Sequence, residues 1–364
     1  MPEVLVTGAG GHVGYNLVAL LRERGYAVRA GLRDPAADPV RAERLRALGA
    51  ELVPCELLKP ETLRAACAGV EGVFQVAAVY QTYAKDPERE IIRPTVEGAR
   101  NVLDAAREAG VRKIVFTSSI AAVGSAAPPE KPLTEDDWND AAPSPYFQAK
   151  VRSEREAWAY AKAHGLKLVS INPGAIIGPG FWRHTPSTLS FELLIRRKLP
   201  AIFPTGFTLV DVRDVAMAHL LAYENVRASG RYLAVDRFCT MRELLEACKT
   251  VCPELRPPKR VIPASLLPAV AALDCLGHAL AGMPRQVTMA MIRELGGKYQ
   301  RASGARLREE LGWSPMPFET SLRDTLDWIK KRVRGTLKRN AAFAVTSQGS
   351  SPCLRASVVG KGNG

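Results

Sequence analysis

The sequence has neither a disulfide framework nor a zinc-type cysteine pattern. Its seven cysteines (55, 67, 239, 248, 252, 275 and 353) are an odd, scattered set with no C-x-x-C pair and no Cys/His cluster at zinc spacing. A structural metal is therefore not expected, and a reducing compartment is. There is also no N-terminal basic region followed by an apolar stretch, because Val4-Leu5-Val6 runs at once into glycines; a cytoplasmic protein is expected. Long apolar runs are scarce. Only residues 261–283 approach the roughly 20 residues of a membrane span, and Pro263, Pro268, Asp274 and His278 interrupt them. That segment reads as a buried or lid-forming amphipathic helix, with no stable membrane span.

Acidic residues stop at Asp327, while Lys330, Lys331, Arg332, Arg334, Lys338, Arg339, Arg355 and Lys361 follow. The formal net charge of +13 is thus largely a tail effect, since the chain before it holds 42 basic and 37 acidic side chains. Basic residues alone specify no partner, and nucleic acid is not expected. Residues 333–364, rich in Ala, Ser and Gly, carry no apolar period and are expected to be disordered. What is present is 364 residues with 47% apolar and 24% charged content, enough for two packed regions.

Short apolar runs at 3–7, 27–32, 51–54, 72–77, 113–118 and 167–172 alternate with amphipathic stretches at 11–24, 40–48, 60–68, 94–109 and 146–164. Such alternation predicts an α/β fold, a Rossmann-type doubly wound parallel sheet covered on both faces. After Pro173 the rhythm breaks into loops and isolated helices. The expected organisation is a dinucleotide-binding domain of 1–174 and 207–236, with a smaller C-terminal substrate-binding region of 175–206 and 237–332.

The first strand runs into Thr7-Gly8-Ala9-Gly10-Gly11-His12-Val13-Gly14. Glycines here permit a tight turn, let backbone N–H groups approach a pyrophosphate, and let helix and strand pack closely. Gly8, Gly11, His12, Val13 and Gly14 are the candidate phosphate contacts, at the positive end of a helix dipole. At the tip of the second strand, Leu32 is followed by Arg33, whose guanidinium suits a 2′-phosphate. NADP is the expected cofactor, with NAD the alternative because Asp34 stands next to it.

Tyr146 and Lys150 are four apart in a helical segment and share a face. An ammonium beside a phenol lowers a pKa that is about 10 unperturbed, which makes the phenol a proton donor to a developing alkoxide. The strand 113–117 ends in Ser118-Ser119, and one of these hydroxyls can hold a substrate oxygen beside the tyrosine.

Together these motifs resemble an extended short-chain dehydrogenase/reductase of the NAD-dependent epimerase/dehydratase superfamily. The chain is similar to the dihydroflavonol 4-reductase and cinnamoyl-CoA reductase branch over about residues 3–330. The resemblance rests also on Val73 to Ala78, Pro94 to Gly98, Asn172-Pro173-Gly174, Asp211 to Val215 and Leu311 to Pro315. It implies a catalytic Ser119, Tyr146 and Lys150, with Lys150 also holding the ribose hydroxyls. It places Glu56 and Leu57 near the adenine, Ala77 and Ala78 along the cofactor, and Pro173 and Ile176 at the nicotinamide. A homodimer through the helix bearing Tyr146 and its neighbour is also implied. Gln75 departs from the family's usual His, and Glu56 from its usual Asp.

The expected partner is a small-molecule carbonyl or alcohol, with Tyr80, Phe181, Trp182 and Phe207 as candidate substrate contacts suited to an apolar or aromatic compound. The expected reaction is NADPH-dependent reduction of a ketone or aldehyde, reversible as alcohol oxidation. An NAD-dependent nucleotide-sugar epimerase or dehydratase is the alternative enzyme. A non-catalytic dinucleotide-binding sensor is the alternative of another class.

Overall fold

A computed structural model describes residues 2–79, 83–126, 131–183, 185–281 and 288–347, with side chains up to 334 apart from those of Pro186 and Ala281. The chain runs β1 (Glu3–Thr7), α1 (His12–Glu23), β2 (Ala27–Leu32), α2 (Pro39–Ala47), β3 (Glu51–Pro54), α3 (Pro60–Cys67) and β4 (Gly72–Gln75). It continues as α4 (Arg93–Glu108), β5 (Lys113–Thr117), α5 (Pro145–His164), β6 (Leu168–Pro173), β7 (Ala175–Ile177) and α6 (Pro186–Ile195). Next come β8 (Gly206–Asp211), α7 (Val212–Glu224), β9 (Gly230–Ala234), β10 (Arg237–Thr240) and α8 (Met241–Val251). The last elements are α9 (Leu267–Ala281), α10 (Met289–Leu295), β11 (Tyr299–Gln300), α11 (Ala305–Leu311) and α12 (Phe318–Ser347).

Seven strands form the main sheet in the order β3-β2-β1-β4-β5-β6-β9, and every pairing is parallel. Because both faces are covered, the strands have no polar alternation to show: Val4, Leu5 and Val6 are all fully buried. Leu17, Leu21, Val215 and Leu220 from α1 and α7 pack on one face. Leu63, Val102, Leu103 and Ala157 from α3, α4 and α5 pack on the other. The doubly wound sheet read from the alternation is the fold observed.

Two segments fall elsewhere than the sequence places them. β8 was expected within the dinucleotide-binding part, but it pairs antiparallel with β10 and parallel with β7 and β11, forming a separate four-stranded sheet. The helix after it, α7, nevertheless returns to the main sheet. Residues 333–347, expected to be disordered, continue the closing helix through Gly335 to Ser347, in a stretch that holds the good helix formers Ala, Lys and Arg. Residues 348–364 lie outside the described part. No helix among the described residues is long and apolar enough to cross a membrane.

Candidate active site

Strand order opens the site. With β2 on one side of β1 and β4 on the other, the connections leave in opposite directions and a crevice forms at the strands' carboxyl ends. Thr7 Oγ1 accepts the N–H groups of both Val76 and Ala77 at 3.0 Å, clamping the exit of β4 to the exit of β1. Gln75, buried where the family resemblance leads one to expect His, donates to the Ala77 carbonyl at 2.8 Å and steadies the same exit. Two glycines of the loop are required by geometry. Gly8 has φ +63°, and a Cβ there would stand 2.8 Å from Ala77 Cα; a Cβ on Gly14 would collide with the Gly8 carbonyl. Gly11 caps α1 without any side-chain hydrogen bond, so the first-turn N–H groups remain directed at the loop, where a phosphate would sit.

His12 begins α1, but its ring turns away from that cradle. Its Nε2 lies 3.0 Å from the Pro179 carbonyl, its ring meets Phe181 edge-on at 5.0 Å, and burial pushes its pKa down to about 4. Of His12, therefore, it is the backbone that fits a phosphate. Val13 follows on the same turn. Arg33 is exposed just beyond β2, and Asp34 beside it accepts the Ala36 N–H at 2.8 Å through one carboxylate oxygen. The structure adds a second arginine that the sequence analysis missed. The stem of Arg41, on α2, covers Gly10; its Nη2 pairs with Asp38 at 3.2 Å, while its Nε is buried without a partner. An orphaned guanidinium nitrogen beside the glycine loop suits a phosphate oxygen. Glu56 is engaged by Lys59 at 2.8 Å, and the carbonyl of Leu57 accepts from Asn101 at 2.9 Å, so this loop is pinned beyond β3.

The residues expected to handle the proton lie beyond the carboxyl end of β5 and on α5. α5 starts with Pro145 in its first turn and ends at Gly165 in the left-handed region. Tyr146, Lys150 and Glu154 occupy successive turns of one face. Tyr146 packs against the cluster of Ala121, Ala142 and Phe147. Ser119 caps the short turn Ile120–Ala122, its Oγ accepting the Ala121 N–H at 3.1 Å, and it is half-buried, with its hydroxyl hydrogen left for another acceptor. Ser118 is buried and spends its own hydrogen on Glu154 at 2.7 Å. The two serines left equivalent by the strand end are thereby distinguished. Burial pushes the Lys150 amine down to about 8, and the carboxylate of Glu154 opposes that fall.

Glu154 was not read from the sequence. It is fully buried, accepts Ser118, Ser170 (2.8 Å) and Asn172 (2.9 Å), and pairs with Arg231 Nε at 2.9 Å. Arg231 also donates to the carbonyls of Glu135 and Asp137 at 2.7 Å and lies 3.8 Å over the Trp138 ring. Asn172 reaches the Ser119 carbonyl at 3.3 Å. One carboxylate thus ties the helix bearing Tyr146 and Lys150 to β6, to β9 and to the serine pair that follows β5. The available signal was a carboxylate four residues after Lys150 and a lone arginine in an apolar strand.

Other expected residues are dispersed. Pro173 closes β6, and Ile176 pairs with Val210 in the second sheet. Ala78 is exposed beyond β4. Phe181 is not an open pocket wall: it is 1% exposed, packed in the core of the second region against His12 and Trp328. Trp182 sits between Tyr15 of α1 (4.5 Å) and the guanidinium of Arg44 (4.2 Å), so it joins the second region to α1 and α2. Phe207 is half-buried on β8. Tyr80 lies outside the described residues. His219, fully buried, bonds Thr117 and the Val215 carbonyl at 2.7 Å each, the geometry of a structural histidine.

Comparisons with known proteins agree with this layout. The model of the NAD dependent epimerase/dehydratase family matches residues 4–235. Cinnamoyl-CoA reductase CAD2 of Medicago truncatula is 35% identical over 272 residues, covering 71% of this chain and 83% of the relative. Dihydroflavonol 4-reductase of Zea mays is 36% identical over 277 residues, covering 71% and 76%. Among solved structures, Gre2 of Candida albicans in complex with NADPH superposes with a TM-score of 0.71 at 25% identity, covering 91% of this chain and 99% of that one. The chain belongs to the NAD dependent epimerase/dehydratase family and is an oxidoreductase of its extended short-chain dehydrogenase/reductase type, in the branch of the cinnamoyl-CoA and dihydroflavonol reductases.

Proposed function

We propose that the protein reduces a ketone or aldehyde with NADPH, and oxidises the corresponding alcohol in reverse, with Ser119, Tyr146 and Lys150 as the catalytic residues. The observation that carries the reading is Glu154, which holds the Tyr146–Lys150 helix against the Ser119 turn at the edge where the glycine loop opens. A bound nicotinamide dinucleotide supplies the hydride. The remaining steps belong to the chain. Ser119 Oγ donates a hydrogen bond to the carbonyl oxygen and holds it beside Tyr146, whose hydroxyl gives up its proton as that oxygen becomes an alkoxide. The Lys150 ammonium stabilises the phenolate left behind. Gly8, Gly11 and Gly14 with the first turn of α1 would hold the pyrophosphate, and Pro173 and Ile176 would line the nicotinamide side. Arg33 and Arg41 receive the 2′-phosphate, which makes NADP the preferred cofactor, as in the Gre2 complex with NADPH.

The reading includes a small carbonyl or alcohol as partner, a homodimer through α5 and α4, a cytoplasmic setting and no nucleic acid. Apolar or aromatic carbonyls are favoured by the plant relatives named for cinnamoyl-CoA and dihydroflavonol. Dihydroflavonols, cinnamoyl thioesters, aliphatic aldehydes and nucleotide sugars should be screened against NADPH and NADH in parallel. NADPH consumption with an apolar carbonyl is expected. In the Arg33→Ala/Arg41→Ala protein, KM for NADPH should rise about tenfold or more while that for NADH changes little, as expected for lost charge-assisted phosphate contacts. NAD released on denaturing the purified protein, with turnover of nucleotide sugars alone, would replace this reading by an epimerase. Dinucleotide binding without turnover of any compound would replace it by a sensor.

A further inference from the structure

One helix turns an apolar face outward. α9 anchors itself through Leu267 and Ala271, 4% and 1% exposed, whereas Leu273, Leu276 and Leu280 are 69%, 52% and 78% exposed. With Leu266 (54% exposed) and exposed Ala269 they recur at steps of three and four residues and form one continuous stripe. The adjoining stripe, Pro268, Ala272, Cys275 and Ala279, is also exposed and carries no charge. The side facing the protein is different: Asp274 and His278 are half-buried, and the His278 ring meets Tyr83 edge-on at 5.8 Å.

The chain leading into this face carries cations. Lys259 and Arg260 are exposed immediately before it, and Arg293 is exposed on α10, which packs against α9. Asp274, half-buried, is the single acid between 257 and 281. A row of exposed leucines beside a cluster of cations is the composition of a helix lying in a membrane interface, its apolar side in the acyl boundary and its cations at the headgroups. A second copy of the chain fits less well. In a twofold pairing of α9 segments, Lys259 and Arg260 of each copy would find no exposed carboxylate on the other's segment. At 15 residues, α9 is too short to span a bilayer.

We propose that the outer face of α9 docks on the surface of an anionic phospholipid bilayer and seats the protein there as an interfacially bound enzyme. This surface is independent of the reaction assigned above.

The test is flotation of the full chain with vesicles of phosphatidylglycerol and phosphatidylcholine, set beside vesicles of phosphatidylcholine alone. The wild type should float with the anionic vesicles, and the Leu273→Glu/Leu276→Glu/Leu280→Glu protein should float about tenfold less. Lys259→Glu/Arg260→Glu should lose binding to the anionic vesicles specifically. If the triple variant does not fold, Leu280→Glu, at the most exposed position, must still reduce flotation. Three results would overturn the proposal: no flotation of the wild type, equal flotation with neutral vesicles, or a concentration-dependent oligomer of the wild type that the leucine substitutions dissolve.

Discussion

Replacing Tyr146 by Phe should lower kcat for NADPH-dependent carbonyl reduction by about 10²- to 10⁴-fold, the usual contribution of a positioned acid, and leave NADPH binding unchanged. Phe keeps the ring that packs against Ala121 and Phe147, so the substitution removes the hydroxyl and little else. Ser119→Ala should have a smaller effect of the same kind, because in the proposed mechanism Ser119 orients the oxygen without supplying the proton. Lys150→Met should lower the rate and weaken NADPH binding together, since in the proposed mechanism its ammonium serves both the phenol and the ribose. Steady-state kinetics with fluorescence titration of NADPH separates the three patterns. A Tyr146→Phe protein that turns over an accepted ketone at the wild-type rate would remove the tyrosine from the mechanism.

The second large effect concerns Glu154. Exchanging it for Gln keeps the shape but leaves Arg231, 6% exposed, without its ion partner. Breaking a buried pair in this way costs about 3–5 kcal/mol, and the melting temperature should fall accordingly. A purely structural role would stop there. Glu154 also opposes the burial that pushes the Lys150 amine down to about 8. Without that carboxylate the amine loses its proton at still lower pH, so the alkaline limb of kcat/KM for NADPH should begin near pH 8 in the wild type and move acidward in Glu154→Gln. The conservative Glu154→Asp should recover part of both effects. A Gln variant that is destabilised but keeps the wild-type pH profile would confine Glu154 to holding the fold.

The parts of the molecule legible in the sequence are those whose physics is local. Val4-Leu5-Val6 and Ile114-Val115-Phe116 are continuously apolar because a parallel sheet covered on both faces leaves no side for polar residues. Gly8 and Gly14 declare themselves because no other residue fits the turn. Lys150 and Tyr146 share a face by spacing alone. What stayed hidden depends on partners far along the chain. Glu154 and Arg231 are 77 residues apart, and nothing local marks them as a pair. β8 has an apolar core that would suit either sheet, and its placement follows from pairing with β10. Phe181 and Trp182 are aromatics in a loop-rich stretch, a pattern that fits packing against His12 and Arg44 as well as it fits a ligand wall. Arg41 lies eight residues beyond Arg33 and reaches the glycine loop only because α2 folds back over Gly10.

The central claim is that hydride passes directly from the nicotinamide to a carbonyl carbon whose oxygen is held by Ser119 and protonated by Tyr146. Turnover of an accepted ketone with NADPH deuterated at the transferring position of C4, followed by mass spectrometry of the product, measures this step. The account predicts one deuterium on the carbinol carbon of the alcohol and none in its hydroxyl after exchange with water. An alcohol without deuterium on that carbon, formed while the labelled cofactor is consumed, would contradict it.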